Sequence, residues 1–224
     1  MAGELDGPRI APKSGPARQL VVFVHGYGAD GNDLIEIGRA WQPLLPHAAF
    51  ASPHGPRPCG QAPMGREWFP LTFRNPEERW DGVNAAAPVL EAFLNAELAH
   101  LQLPPSALAL VGFSQGTMMA LHVGLRRAAA PLAVVGYSGM LVLKGDSDVE
   151  GYAPQVRARP PVLLVHGGAD DLIPAQALFH ATEALATLEV PVEWHLSADL
   201  GHGIDDEGLR QGGDFLARRL RARR

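Results

Sequence analysis

Short apolar runs and longer stretches of helical period alternate along most of this chain. The runs are rich in Val and Leu: "QLVVFVH" (19–25), "AAFAS" (48–52), "ALALVGF" (107–113), "LAVVGYS" (132–138), "PVLLVHG" (161–167) and "VPVEWHL" (190–196). Near-continuous apolarity over so few residues is the signature of strands buried on both faces, as in a mostly parallel sheet covered by helices. Between the runs, residues 83–101 place Leu90, Leu94, Leu98 and Leu101 on one face, which predicts a helix packed on that sheet. Helices are also expected over 115–128, over 175–188 after Pro174, and over 207–222 behind the acidic opening "DDEG". The pattern is therefore that of an α/β protein. Residues 53–82, dense in Pro and Gly, and residues 139–160 follow neither period; loops of that length are expected to wall a pocket.

Composition narrows the class. With 224 residues and 46% hydrophobic content the chain suits one α/β domain, placed at 19–224 behind a flexible lead-in at 1–18. A net charge of -5 argues against a nucleic-acid partner, because phosphate contacts need a Lys/Arg surplus. The terminal cluster "ARRLRARR" is better explained as cations complementing the end of a helix dipole. A single cysteine, Cys59, permits no internal disulfide. No signal-like or membrane-spanning run is visible, so stable membrane insertion is not expected and a cytoplasmic location is; a homodimer is left open.

One stretch carries chemistry. In "LVGFSQGTMM" (110–119), Ser114 stands between Gly112 and Gly116, at a strand end and before a helical run. A turn that tight leaves no room for side chains two residues either side of the serine, and it would hold the hydroxyl out at the strand's C-terminal end. A serine hydroxyl needs a base to take its proton and a third group to orient that base. Of nine histidines, His25 and His166 end apolar strands and suit buried rings bonded to backbone; His100, His122 and His180 fall in helices; His47, His54 and His195 carry no cue. His202, between two glycines in "DLGHGID", is the candidate base. The acid is Asp170 or Asp171 in "LLVHGGADDLIP", with Asp199 a third choice on the base's own loop. A tetrahedral intermediate needs backbone N–H donors, each worth about 3 kcal/mol of barrier. Gln115, following the serine, offers one, and Tyr27 in "VHGYGADGNDL" (24–34) the other.

These blocks together resemble the α/β-hydrolase superfamily, and within it the small carboxylesterase/phospholipase group related to acyl-protein thioesterases. "HGYGADGNDL", "GFSQGTMMAL", "HGGADDLIP" and "LGHGI" follow in that group's order from about residue 20 to 220. The resemblance implies an α/β-hydrolase fold without a large lid, Ser114 as nucleophile, Asp170 as acid, His202 as base, and the amides of Tyr27 and Gln115 as oxyanion hole. It implies no cofactor and no metal. The group often has Leu or Val where Tyr27 stands, which here is expected to narrow the acyl entrance, and proline where Asp171 stands. "GREWFPL" (65–71) resembles the group's aromatic loop, continued here by an unfamiliar "TFRNPEERW".

The irregular stretches are too short for a long-chain lipase lid, so an open, partly apolar groove lined by Trp68, Phe69, Met140 and Leu141 is expected, suited to small acyl esters of short chain. Such an enzyme would lose activity on acidification, with a midpoint about pH 6 to 7, as the base protonates. An acyl-protein thioesterase or lysophospholipase would use the same machinery. A non-catalytic binding protein on this fold is the alternative of another class. A metal site of His166, Asp170 and His202 lacks a recognised ligand spacing, Cys59 lacks an elbow and a base, and Ser138 in "GYSGM" lacks the second glycine.

Overall fold

The computed structural model describes residues 5–72 and 75–221. Residues 1–4 of the expected lead-in, Phe73 and Arg74 of the "TFRNPEERW" stretch, and 222–224 of the basic terminus lie outside the described residues.

Seven strands form one sheet: β1 (Arg9–Ile10), β2 (Gln19–Val24), β3 (Ala48–Ala51), β6 (Leu108–Phe113), β7 (Ala133–Tyr137), β8 (Val162–Gly167) and β9 (Val192–Ser197). Their spatial order is β1-β3-β2-β6-β7-β8-β9, and every pairing is parallel except β1 with β3. The expected six strands are all present. Side chains alternate between two buried layers, which is why the runs read as continuously apolar. Leu20, Val22 and Val24 face one core with Leu108 and Leu110, while Val21 and Phe23 face the other with Ala109 and Val111.

The first core is closed by α2 (Pro76–His100), α3 (Gln115–Arg126) and α5 (Gln176–Thr187); the second by α1 (Gly31–Trp41) and α6 (Asp206–Arg221). Leu90, Leu94 and Leu98 of α2 are buried on the sheet as their spacing requires. Helix α2 starts seven residues before the expected point, where Asn75 caps it by accepting from Glu77 N and Pro76 occupies its first position. Helix α1 was not announced by the pattern, because "GADGND" carries turn residues. It is capped by Asp30, whose carboxylate accepts from Asn32 N at 2.7 Å, and it buries Leu34, Ile35 and Trp41.

The stretch 53–82 holds a two-stranded hairpin, β4 (Arg57–Cys59) and β5 (Ala62–Glu67), before α2 begins. The stretch 139–160 holds the short α4 (Val149–Tyr152), pinned to the end of α3 by Arg126, which donates to Tyr152 Oη at 2.9 Å and Gln155 Oε1 at 2.6 Å. The expected lead-in contributes β1 to the sheet, and Arg9 pairs with Glu97 of α2 at 2.6 Å. Among the described residues no helix is long and apolar enough to cross a membrane.

The chain runs from β2 out to β3 on one side, then returns to β6 on the other side of β2. Loops leaving the carboxyl ends of β2 and β6 therefore diverge and open a crevice, the place where open α/β sheets bind ligands. Ser114 follows β6, and Tyr27 lies three residues beyond β2.

Candidate active site

Ser114 holds φ 53° and ψ -116°, a conformation costly for a side-chain-bearing residue and one retained where the surroundings over-determine it. Its N–H donates to Tyr137 O at 2.9 Å, and its carbonyl accepts from Thr117 N at 3.0 Å. The two flanking glycines are needed for different reasons. A Cβ on Gly112 would strike the Gly116 carbonyl inside the turn, whereas a Cβ on Gly116 would strike the Val24 carbonyl of neighbouring β2. The second glycine thus serves packing of the helix start against the sheet. On the other side of the crevice, a Cβ placed on Gly26 would stand 3.3 Å from the Ser114 Cβ, so the loop carrying Tyr27 lies against the serine. Gln115 is the first residue of α3, where an N–H has no carbonyl of its own helix to meet.

The β8 and β9 loops bring His202 and Asp170 together. His202 Nδ1 donates to Asp170 Oδ2 at 2.8 Å, which leaves Nε2 as its free nitrogen, and its ring lies tilted at 50° to that of Phe113, the residue before the serine, with centroids 5.0 Å apart. The Asp170 carboxylate is wholly buried; its Oδ1 accepts from Leu172 N at 3.0 Å and Ile173 N at 2.9 Å, which fixes its orientation. Asp171 and Asp199 are exposed, and the hydrogen bond to His202 comes from Asp170. His166 Nε2 faces two acceptors, Ile173 O at 2.8 Å and Asp170 Oδ2 at 3.3 Å. It is therefore the protonated nitrogen and offers no lone pair to a metal. Ser138 donates from Oγ to Gly203 O at 3.0 Å and so ties down the residue after His202.

Trp68 and Phe69 are 1% and 2% exposed, so most of each side chain packs in the core. They border a cavity of about 520 Å³ with Pro70, Ala85, Ala86 and Val89. Met140 and Leu141 are not among its walls; Met140 is half-buried against the core and Leu141 is buried. The reason is local: the side chain of Gln115 accepts from Trp68 N at 3.0 Å and donates to Phe69 O at 2.8 Å, drawing this segment onto α3. A Cβ on Gly82 of α2 would overlap the Phe69 ring, so the helix closes over it from the other side.

The Tyr27 side chain lies near Cys59 and Glu67 of the hairpin, and burial, followed by the Cys59 contact, pushes its pKa above the usual tyrosine value. The hairpin braces the same loop through its backbone, with Gly28 N donating to Arg66 O at 3.0 Å and Arg66 N to Ala29 O at 2.7 Å. No sequence signal marked this support, since Pro and Gly mask the strand pattern in 57–67. His25, fully buried, is the ring bonded to backbone that its position implied. Burial lowers its pKa to about 4, so it is neutral at pH 7.

A mostly parallel sheet with a serine on a strained strand-to-helix turn and a carboxylate–imidazole pair beyond it defines an α/β-hydrolase. The chain belongs to the Phospholipase/Carboxylesterase family, which matches it over residues 5–220. It is similar to esterase YpfH of Escherichia coli, at 29% identity over 201 residues covering 90% of this chain and 83% of that one. It is likewise similar to acyl-protein thioesterase 1 of Gibberella zeae, at 26% identity covering 95% and 97%. Among solved structures it superposes on esterase PE8 with a TM-score of 0.91 at 39% identity, covering 96% of this chain and 99% of that one. The protein is accordingly a hydrolase of the carboxylesterase/thioesterase group.

Proposed function

We propose that the protein is a serine carboxylesterase acting on short-chain acyl esters, with Ser114 as nucleophile, His202 as general base and Asp170 as the acid that orients it. The carrying observation is the 2.8 Å bond from His202 Nδ1 to the buried Asp170 carboxylate, beside a serine held at positive φ. His202 Nε2 takes the Ser114 proton as Oγ attacks the ester carbonyl carbon. The oxyanion is received by the N–H groups of Tyr27 and Gln115. Collapse breaks the ester C–O bond, His202 returns its proton to the departing alkoxide, and the acyl group remains on Ser114. Water, deprotonated by His202, then releases the acid and restores the serine.

Short chains are supported by the packing. Before α2 begins the first irregular stretch holds only the β4–β5 hairpin, and the second holds helical segments of three or four residues, so among the described residues neither supplies a large helical lid. The similarity to acyl-protein thioesterase 1 supports a second reading, in which the scissile bond is a thioester. One set of measurements separates them: kcat/KM on acetate, butyrate, octanoate and palmitate esters and their thioester counterparts, with fluorophosphonate labelling. The reading expects highest kcat/KM on acetate or butyrate oxygen esters, labelling at Ser114, and loss of at least about 10⁴-fold in kcat on Ser114→Ala. Faster turnover of palmitate overturns the chain-length reading, and faster turnover of thioesters favours the second.

A further inference from the structure

Three buried side chains outside the proton relay, His25, Trp68 and Gln115, make five hydrogen bonds that link the two proposed oxyanion amides. Gln115 carries one of those amides, and its side chain grips Trp68 N at 3.0 Å and Phe69 O at 2.8 Å. The Trp68 indole N–H donates to His25 O at 3.0 Å. The His25 ring then bonds at both nitrogens, Nδ1 to Gly26 O at 2.7 Å and Nε2 to Gly55 N at 2.8 Å. Gly55 N–H can only donate, so Nε2 is the acceptor and Nδ1 carries the proton. The tautomer is thereby fixed from outside the ring.

The bond to Gly26 O has a geometric consequence. That carbonyl and the Tyr27 N–H belong to one planar trans peptide, so they point in opposite directions. Whatever holds the oxygen aims the N–H. A flipped Gly26–Tyr27 peptide would present a carbonyl to the developing oxyanion and remove one donor.

We infer that His25, braced by Trp68 and Gln115, positions the Gly26–Tyr27 peptide so that its N–H faces the oxyanion. The three are positioning residues: they act through backbone amides, and the inference rests on the reading of Ser114 as nucleophile. An oxyanion donor counts only when charge has moved to the oxygen, so misaiming it lowers kcat and leaves KM nearly unchanged. A purely structural role would lower the melting temperature alone.

The test uses His25→Leu, Gln115→Met and Trp68→Phe, the last removing one N–H while keeping an aromatic ring. Each is assayed for kcat and KM on p-nitrophenyl butyrate, inhibition by a trifluoromethyl ketone that adds to the serine, melting temperature and fluorophosphonate labelling. His25→Leu is expected to lose about 30- to 100-fold in kcat and Trp68→Phe about tenfold, with KM within about twofold. Ketone affinity should fall by the same factors as kcat/KM. If His25→Leu does not fold, Trp68→Phe decides. Folded variants with full kcat and unchanged ketone affinity overturn the positioning role while Ser114 labelling stands. A wild-type protein left unlabelled at Ser114 overturns the nucleophile reading and this inference with it.

Discussion

On the β2 side of Ser114, the loop bearing Tyr27 is held by polar side chains with almost no exposure, whereas on the β8–β9 side the His202 side chain keeps 17% of its surface in solvent. The glycines show the same contrast. A Cβ on Gly26, Gly112 or Gly116 would press on the neighbouring turn or strand, but on Gly201 or Gly203 it would meet nothing closer than 3.9 Å. The two sides have different tasks under the proposed mechanism. Amide donors work best when they need not move as charge develops, so they are set in a dry, tightly packed frame. A base must exchange protons with Ser114, the leaving group and water. Its ring is anchored by the bond from Nδ1 to the buried Asp170 and rests against Phe113, and its loop is tethered by Ser138.

The largest effect is expected on the base side. Asp170→Asn would present His202 with an amide in place of the charge-bearing acceptor, and kcat should fall by about 10³- to 10⁴-fold with the fold intact. Steady-state kinetics beside a circular dichroism spectrum checks this; a loss under tenfold would mean that the base is oriented by something else.

On the packed side, Gly116→Ala forces a methyl group onto the backbone of Val24, which cannot rotate away. Destabilisation of about 3 kcal/mol or more is expected in urea denaturation. An unchanged midpoint would show that α3 can slide away from the sheet.

Acid separates the sides again. His25 has a pKa near 4 in the folded state, lowered by burial, against an unfolded value of 6.5. Between those values the unfolded chain binds the proton and the folded one does not, so stability falls as pH drops from 6.5 to 4 and levels off below. About 3 kcal/mol is lost across that window from this ring alone. His122, lowered to about 3 by burial and then by Arg126, acts in the same direction. Denaturation midpoints from pH 7 to 4 should show the decline, shallower in His25→Leu. A flat profile would mean that these rings are not held neutral.

The smallest effect is expected at Gly203. Gly203→Ala has space and no positive φ to strain, so stability should change by less than about 0.5 kcal/mol and kcat by less than about threefold. A severe loss would show that the base loop needs glycine's freedom in turnover.

This division explains how much of the molecule was legible in its letters. Strands covered on both faces must be apolar at every position, and β2, β6, β7 and β8 could be placed within a residue or two. Ser114 and Asp170, flanked by turn formers just past such strands, could be singled out for the same reason, and His202 by the glycines on either side of it. Helix α1 was hidden by its own capping residues, and the hairpin by Pro and Gly that interrupt alternation. The two-residue β1 is too short to carry any period. That Met140 and Leu141 do not join the cavity wall could not be read, because an apolar residue in a loop looks alike whether it walls a groove or fills a core; Trp68 and Phe69 do both. Gln115's grip on them spans 46 residues or more, and nothing local records it. The base side was the easier to read because its key contact joins residues that each stand out. The packed side depends on side-chain-to-backbone bonds, and any sequence could supply the backbone partner.

A crystal structure of the protein inactivated by a short alkyl fluorophosphonate tests the central claim most directly. The account expects phosphorus bonded to Ser114 Oγ, with the phosphoryl oxygen about 2.7–3.1 Å from the backbone nitrogens of both Tyr27 and Gln115. Phosphorus on another residue, or a phosphoryl oxygen turned away from those two amides, would contradict it.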